Sequence, residues 1–102
     1  MTSKLSITIE AREELAMKIM DPIHPGEILM EEFLSPLGLT EKSFAQATRL
    51  SEKLISELVA GKTGISAHLA LKFSGYFGNT AEFWMNLQSR YELEIEKDRA
   101  QV

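Results

Sequence analysis

Apolar residues recur at helical spacing over most of this chain, and capping residues and glycines divide the pattern into short segments. The first clear segment is a helix predicted over residues 26 to 34. Pro25 suits the first turn of such a helix, Glu27 favours the positive end of its dipole, and Ser35-Pro36 ends it. Four further helices are expected after it.

Three of those four helices follow a hydroxyl residue that can cap a helix, namely Thr40, Ser51 or Ser66. They are predicted over residues 41 to 48, 52 to 60 and 67 to 77, and Gly61 and Gly78 close the last two. The fifth helix begins after Thr80. Its apolar residues recur along one face at Trp84, Leu87, Tyr91 and Ile95.

The residues before position 22 have a different pattern. Leu5, Ile7 and Ile9 alternate with polar residues, which indicates a short strand, and residues 10 to 20 then favour a helix. We therefore divide the chain into an N-terminal extension (1–21), one helical domain (22–96) and a charged C-terminal tail (97–102). With 102 residues, only one sizeable core is expected.

Two short helices joined by the three-residue turn 49–51 form the pattern of a helix-turn-helix, whose second helix enters the DNA major groove. The motif needs a small residue where its helices cross, and Ala45 is suitable. It also needs apolar anchors for the second helix, and Leu50, Ile55 and Leu58 supply them. The sequence thus predicts a DNA-binding motif between residues 41 and 60.

If Ile55 and Leu58 face inward, the outer face of the second helix can contact base edges. The residues predicted there are Ser51, Glu52, Lys53, Ser56 and Glu57. The residues predicted to contact phosphates are Lys42, Arg49, Lys62 and Thr63. The alternative is that this surface is an ordinary solvated helix face.

The charge distribution is compatible with the same region, although a difference of two charges is, on charge alone, ordinary surface variation. The net charge is −4, yet residues 38–75 carry five basic side chains against three acidic ones, while both ends of the chain are acidic. Phosphate contacts require local positive charge, so the middle segment is the better candidate for a nucleic-acid interface.

Other functions lack the residues they need. The chain has no cysteine, its two histidines (His24 and His68) do not form a metal-binding spacing, and neither a phosphate-binding loop nor a nucleophile elbow occurs. We expect no enzyme activity, no cofactor and no metal. With no unbroken apolar run long enough for a signal peptide or membrane span, a soluble cytoplasmic protein is expected.

The segment LTEKSFAQATRLSEKLISELVAGK, residues 39–62, resembles the helix-turn-helix of the Xre and Cro family. Its flanks resemble the HigA (VapI) antitoxin group of that family. They read HPGEILMEEFLSPLGL (24–39), GKTGIS (61–66) and YFGNTAEFWMNLQSRYEL (76–93). The chain departs from the motif at Glu41, usually neutral, at Thr48, usually apolar, and at Arg49, usually glycine.

The resemblance implies an all-α, five-helix, lambda-repressor-like domain that binds double-stranded DNA as a homodimer. It also implies a partner, a HigB-type toxin that cleaves messenger RNA, and autorepression of the shared operon. Two alternatives remain open: a stand-alone transcription regulator, and a protein-interaction module of the same fold that has lost DNA binding.

Overall fold

A computed structural model describes residues 22–100, which form five helical elements and no strand. Helix α1 spans Pro25–Ile28 and continues as a π-helical segment, Leu29–Leu34. The others are α2 (Glu41–Thr48), α3 (Glu52–Val59), α4 (Ala67–Phe77) and α5 (Ala81–Ala100). The predicted all-α, five-helix fold is confirmed. The strand and helix predicted before residue 22 lie outside the described residues.

Hydroxyl side chains cap α2, α3 and α4, as the sequence predicts. Thr40 Oγ1 accepts a hydrogen bond from the backbone N–H of Ser43 at 3.0 Å, and Ser43 Oγ accepts one from the backbone N–H of Thr40 at 3.0 Å. Ser51 and Ser66 each accept from the N–H three residues later. Each cap stabilises its helix by about 1 kcal/mol. Local sequence therefore fixes where the two helices of the motif begin.

Helix α1 crosses α3 at Gly26. A Cβ atom at this position would lie 1.8 Å from the backbone oxygen of Leu58, so the two helices approach more closely than any side chain permits. The N-terminus of α1 is capped by His24, whose Nδ1 accepts from the N–H of Gly26 at 2.9 Å. Gly26 thus places α1 directly behind α3.

The core combines aromatic residues of α2, α4 and α5 with aliphatic residues of α1 and α3. Its fully buried side chains include Trp84, Phe44, Phe73, Leu29, Leu34, Ile55 and Leu58. The Trp84 ring lies 5.2 Å from that of Phe73, and its Nε1–H donates to Asn79 Oδ1 at 2.9 Å. The buried aromatic residues therefore form much of the core on which α2 and α3 pack.

Helix α5 continues through Ala100, so it includes residues 97–100 of the predicted charged tail. Trp84 is fully buried, and Leu87, Tyr91 and Ile95 are half-buried along the same face. Beyond that face, ion pairs join Arg90 to Glu94 at 3.2 Å and Arg99 to Glu96 at 2.9 Å. Exposed pairs of this kind contribute little to stability.

Candidate nucleic-acid interface

Helices α2 and α3 are joined by the three-residue turn that the sequence predicts. Arg49 ends α2 with φ 59° and ψ 38°, the left-handed conformation that usually selects glycine. The N–H of Leu50 donates to the carbonyl of Ala45 at 2.9 Å, and Ser51 then caps α3. The turn is closed by these hydrogen bonds even though Arg49 replaces glycine.

Thr48, the polar residue at a usually apolar position, is accommodated by its own helix. It is 5% exposed, and its hydroxyl donates to the carbonyl of Phe44 at 2.8 Å. Lys72 on α4 donates from Nζ to the carbonyl of Thr48 at 3.0 Å. This lysine satisfies a carbonyl at the C-terminus of α2, where positive charge is favourable. The sequence pattern alone did not identify Lys72 as part of the motif.

The inner side of the motif has the predicted anchors. Ala45 is 2% exposed and Ile55 and Leu58 are fully buried, while Leu50 is half-buried against the core. These contacts hold α3 so that its opposite side faces outward.

The residues predicted to contact bases lie on the outer side of α3. Ser51, Glu52 and Lys53 are exposed at its N-terminus, and Ser56 and Glu57 are half-buried one turn later. Ser51 Oγ accepts the capping hydrogen bond from Leu54, which leaves its own proton free to donate. These five positions, Ser51 at the N-cap and the other four on the first two turns, are here called the α3 outer face. Whether they contact bases stays a prediction.

Glu41 and Ser56 form a pair that sequence reasoning did not identify. Ser56 Oγ donates to Oε1 of Glu41 at 2.6 Å, a short hydrogen bond typical of an ionised acceptor. It joins the first residue of α2 to the outer face of α3. No local signal predicts a pairing across 15 positions.

The residues predicted to contact phosphates lie around the ends of α2 and α3. Lys42 is exposed in the first turn of α2, and Arg49 is exposed in the turn of the motif. Lys62 is exposed and Thr63 half-buried in the loop after α3. Cationic side chains therefore flank the α3 outer face at both ends. Their contacts with phosphate stay predictions.

His24 lies behind α3, where it joins α1, α5 and the loop after α3. Its ring packs edge-on against Tyr91 with 4.8 Å between centroids. Burial lowers the pKa of His24 below its ordinary value of 6.5, and this outweighs the raising effects of the hydrogen bond with the backbone of Thr63 and of the charge of Glu27. The ring is therefore neutral near pH 7. This agrees with the hydrogen bond from Gly26, because Nδ1 can accept it only when Nδ1 carries no proton.

Within residues 22–100, no three acidic or histidine side chains are grouped so that they could hold a metal ion. No helix in the same part of the chain is long and apolar enough to cross a membrane. Two capped helices, a closed three-residue turn and an outward polar face define this chain as a helix-turn-helix protein.

No protein-family model matches the chain. It is 43% identical to virulence-associated protein I of Dichelobacter nodosus over 84 residues, 81% of this chain and 78% of that protein. It is 38% identical to antitoxin HigA-1 of Vibrio cholerae over 80 residues, 78% of this chain and 75% of that protein. The chain belongs to the HigA antitoxin family of helix-turn-helix proteins.

Solved structures agree with this assignment. One is Pseudomonas aeruginosa antitoxin HigA with the higBA promoter, at a TM-score of 0.74 and 41% identity over 76% of this chain and 85% of that one. Another is antitoxin GraA, at a TM-score of 0.75 and 36% identity over 78% of this chain and 86% of that one. The relatives are antitoxins and helix-turn-helix regulators, which points to a non-enzymatic regulator.

Proposed function

We propose that this protein is the antitoxin of a HigB/HigA-type pair. It binds the promoter of its own operon and represses it, and it neutralises a toxin that cleaves messenger RNA. The observation that carries the proposal is the α3 outer face on a helix-turn-helix whose family includes a HigA structure with promoter DNA. Neutralisation of the toxin rests on membership of the family. The protein has no catalytic role in this proposal and acts in the cytoplasm.

The geometry of α3 supports promoter binding. With its N-terminus in the major groove, Lys53 donates to guanine, Glu52 and Glu57 accept from cytosine, and Ser51 contacts a base or a phosphate. Lys42, Arg49, Lys62 and Thr63 hold the backbone on either side. The residue types on this face include both donors and acceptors, which sequence-specific recognition requires.

Salt dependence provides a quantitative expectation, because the chain is acidic overall. Three cations of each protomer, Lys42, Arg49 and Lys62, are available to phosphates. If a dimer uses all of them, the slope of log K against log salt is about −5. Replacing one of these residues by alanine in both protomers makes the slope shallower by about 2.

The test of the proposal is fluorescence-anisotropy binding to the DNA upstream of the protein's own gene, against a scrambled duplex, at low and near-physiological salt. Each titration is repeated in the presence of the adjacent gene's product, which the proposal expects to be the toxin. A preference for the upstream duplex that persists in salt supports the proposal. Equal binding to both duplexes, with and without that second protein, contradicts promoter recognition.

A stand-alone regulator is the second candidate, because a Haemophilus influenzae protein that is 39% identical over 77 residues is named only as a helix-turn-helix transcriptional regulator. Co-expression with the adjacent gene product distinguishes the two. An antitoxin forms a stable complex with it and restores growth, whereas a stand-alone regulator does neither. A protein-interaction module of this fold binds no DNA under any of these conditions.

A further inference from the structure

The hydroxyl of Ser56 points away from its own helix. Serine and threonine within a helix commonly donate to a backbone carbonyl three or four residues earlier. Ser74 on α4 and Thr48 on α2 do so, at 3.0 Å and 2.8 Å. Ser56 instead donates to Glu41 on the neighbouring helix at 2.6 Å. The carboxylate of Glu41 therefore determines where the proton of Ser56 points.

The pair lies on the α3 outer face. With about 100° between successive helix residues, Ser56 lies about 130° from the midline of the buried stripe formed by Ile55 and Leu58, between the directions of Glu52 and Lys53. Exposure is expected at that angle, yet Ser56 is half-buried, and Glu41 is half-buried with it. The two side chains cover each other at the surface that the proposed function places in the major groove.

A hydroxyl has one proton, so a serine that donates to a carboxylate can only accept from a third group. The second oxygen of Glu41 can also only accept. In the major groove adenine N6 and cytosine N4 donate, whereas guanine O6 and N7 and thymine O4 accept. We propose that Glu41 is a specificity-determining residue: by holding the proton of Ser56, it makes the pair select an exocyclic amino group in one base pair of each half-site.

This inference rests on the proposed promoter binding, and its test separates the two. Anisotropy titrations use upstream duplexes in which each base pair is replaced in turn, and duplexes in which the preferred adenine or cytosine has hydrogen instead of its amino group. The proteins are wild type, Glu41→Ala, Glu41→Gln, Ser56→Ala and the double variant Glu41→Ala/Ser56→Ala. Glu82→Ala is the matched control, because it removes the same charge from the first turn of α5.

For wild type we expect one position in each half-site where loss of the amino group weakens binding about 5- to 150-fold. Glu41→Ala frees the hydroxyl, and Glu41→Gln offers it an amide that both donates and accepts. Both variants should therefore show a smaller difference in affinity between the bases at that position. The double variant discriminates between the bases at that position no less than Ser56→Ala alone does. Glu82→Ala retains the wild-type discrimination. Thermal unfolding confirms that each variant is folded.

Two results overturn the inference while the proposed function stands. One is a preference for guanine or thymine at the position that Ser56→Ala affects, and the other is that Glu41 variants change affinity equally for all duplexes. A wild-type protein that fails to distinguish upstream from scrambled DNA overturns the proposed function and this inference together.

Discussion

Arg49 combines an unfavourable backbone conformation with an exposed cationic side chain. Its left-handed backbone, with φ 59°, is the one non-glycine case of positive φ among residues 22–100. Such a conformation destabilises a residue with a Cβ by about 1 to 2 kcal/mol. The side chain is exposed beside the N-terminus of α3, where a cation suits a phosphate. We propose that the charge of Arg49 contacts a phosphate and that this contact offsets the backbone strain in the DNA complex.

The substitution Arg49→Gly is expected to raise the free energy of unfolding by about 0.5 to 1 kcal/mol, because relief of strain exceeds the extra entropy that glycine loses on folding. The same change weakens promoter binding at low salt, since a cation is lost. Denaturant unfolding and anisotropy measure the two effects. Gln46→Gly, in the regular part of α2, is the control and destabilises by about 1 kcal/mol. An Arg49→Gly protein that is less stable than wild type would contradict the proposed backbone strain at Arg49.

His24 makes stability depend on pH. Burial lowers its pKa in the folded state below 6.5, so the unfolded chain binds more protons whenever the pH lies between the two values. The stabilisation is complete above pH 6.5 and is lost as the pH falls through the lower, folded-state pKa. Protonation also turns Nδ1 from an acceptor into a donor and breaks the cap of α1.

Urea unfolding from about pH 8 to about pH 5 should show this loss in wild type. His24→Asn keeps a good capping residue without a group that titrates in that range, so its stability should change less with pH. Equal pH profiles for the two proteins would exclude His24 as the source.

At the scale of the helices, close approach between α1 and α3 positions the motif. Gly26→Ala places a methyl group 1.8 Å from the backbone oxygen of Leu58, so the helices must separate. We expect a loss of about 3 kcal/mol or more in the free energy of unfolding. Gly75→Ala is the matched control, because it lies within α4 with nothing within 4 Å of an added Cβ. That change should stabilise by about 1 kcal/mol. Similar effects at both positions would contradict the close contact.

The helices were predictable from the sequence because their ends depend on nearby residues. Thr40, Ser51 and Ser66 cap the helices that follow them, and the predicted ends of these three helices are within one residue of those observed. The one difference is Ala60, which was predicted as the last residue of α3 and is its C-cap. The contacts between helices were not predictable. Glu41 with Ser56 and Lys72 with Thr48 are 15 and 24 positions apart, and their pairing depends on helix packing.

For the whole molecule, two-fold symmetry of a repressor dimer predicts the spacing of its DNA sites. Half-sites should lie about 34 Å apart, one turn of the double helix. Inserting about 5 base pairs between them turns one half-site to the opposite side of the DNA and should abolish joint binding, whereas about 10 base pairs should restore much of it. Gel-shift titrations measure this. Affinity that does not vary with spacing would indicate independent monomers.

The position of His24 connects distant parts of this small molecule. One imidazole caps α1, packs against Tyr91 in the middle of α5 and bonds the backbone at Thr63, just beyond α3. The ring of His24 therefore joins the middle of α5 directly to the segment behind α3. A partner that bound the middle of α5 would therefore contact a helix that is linked, through the side chains of Tyr91 and His24, to the backbone just beyond the C-terminal end of α3.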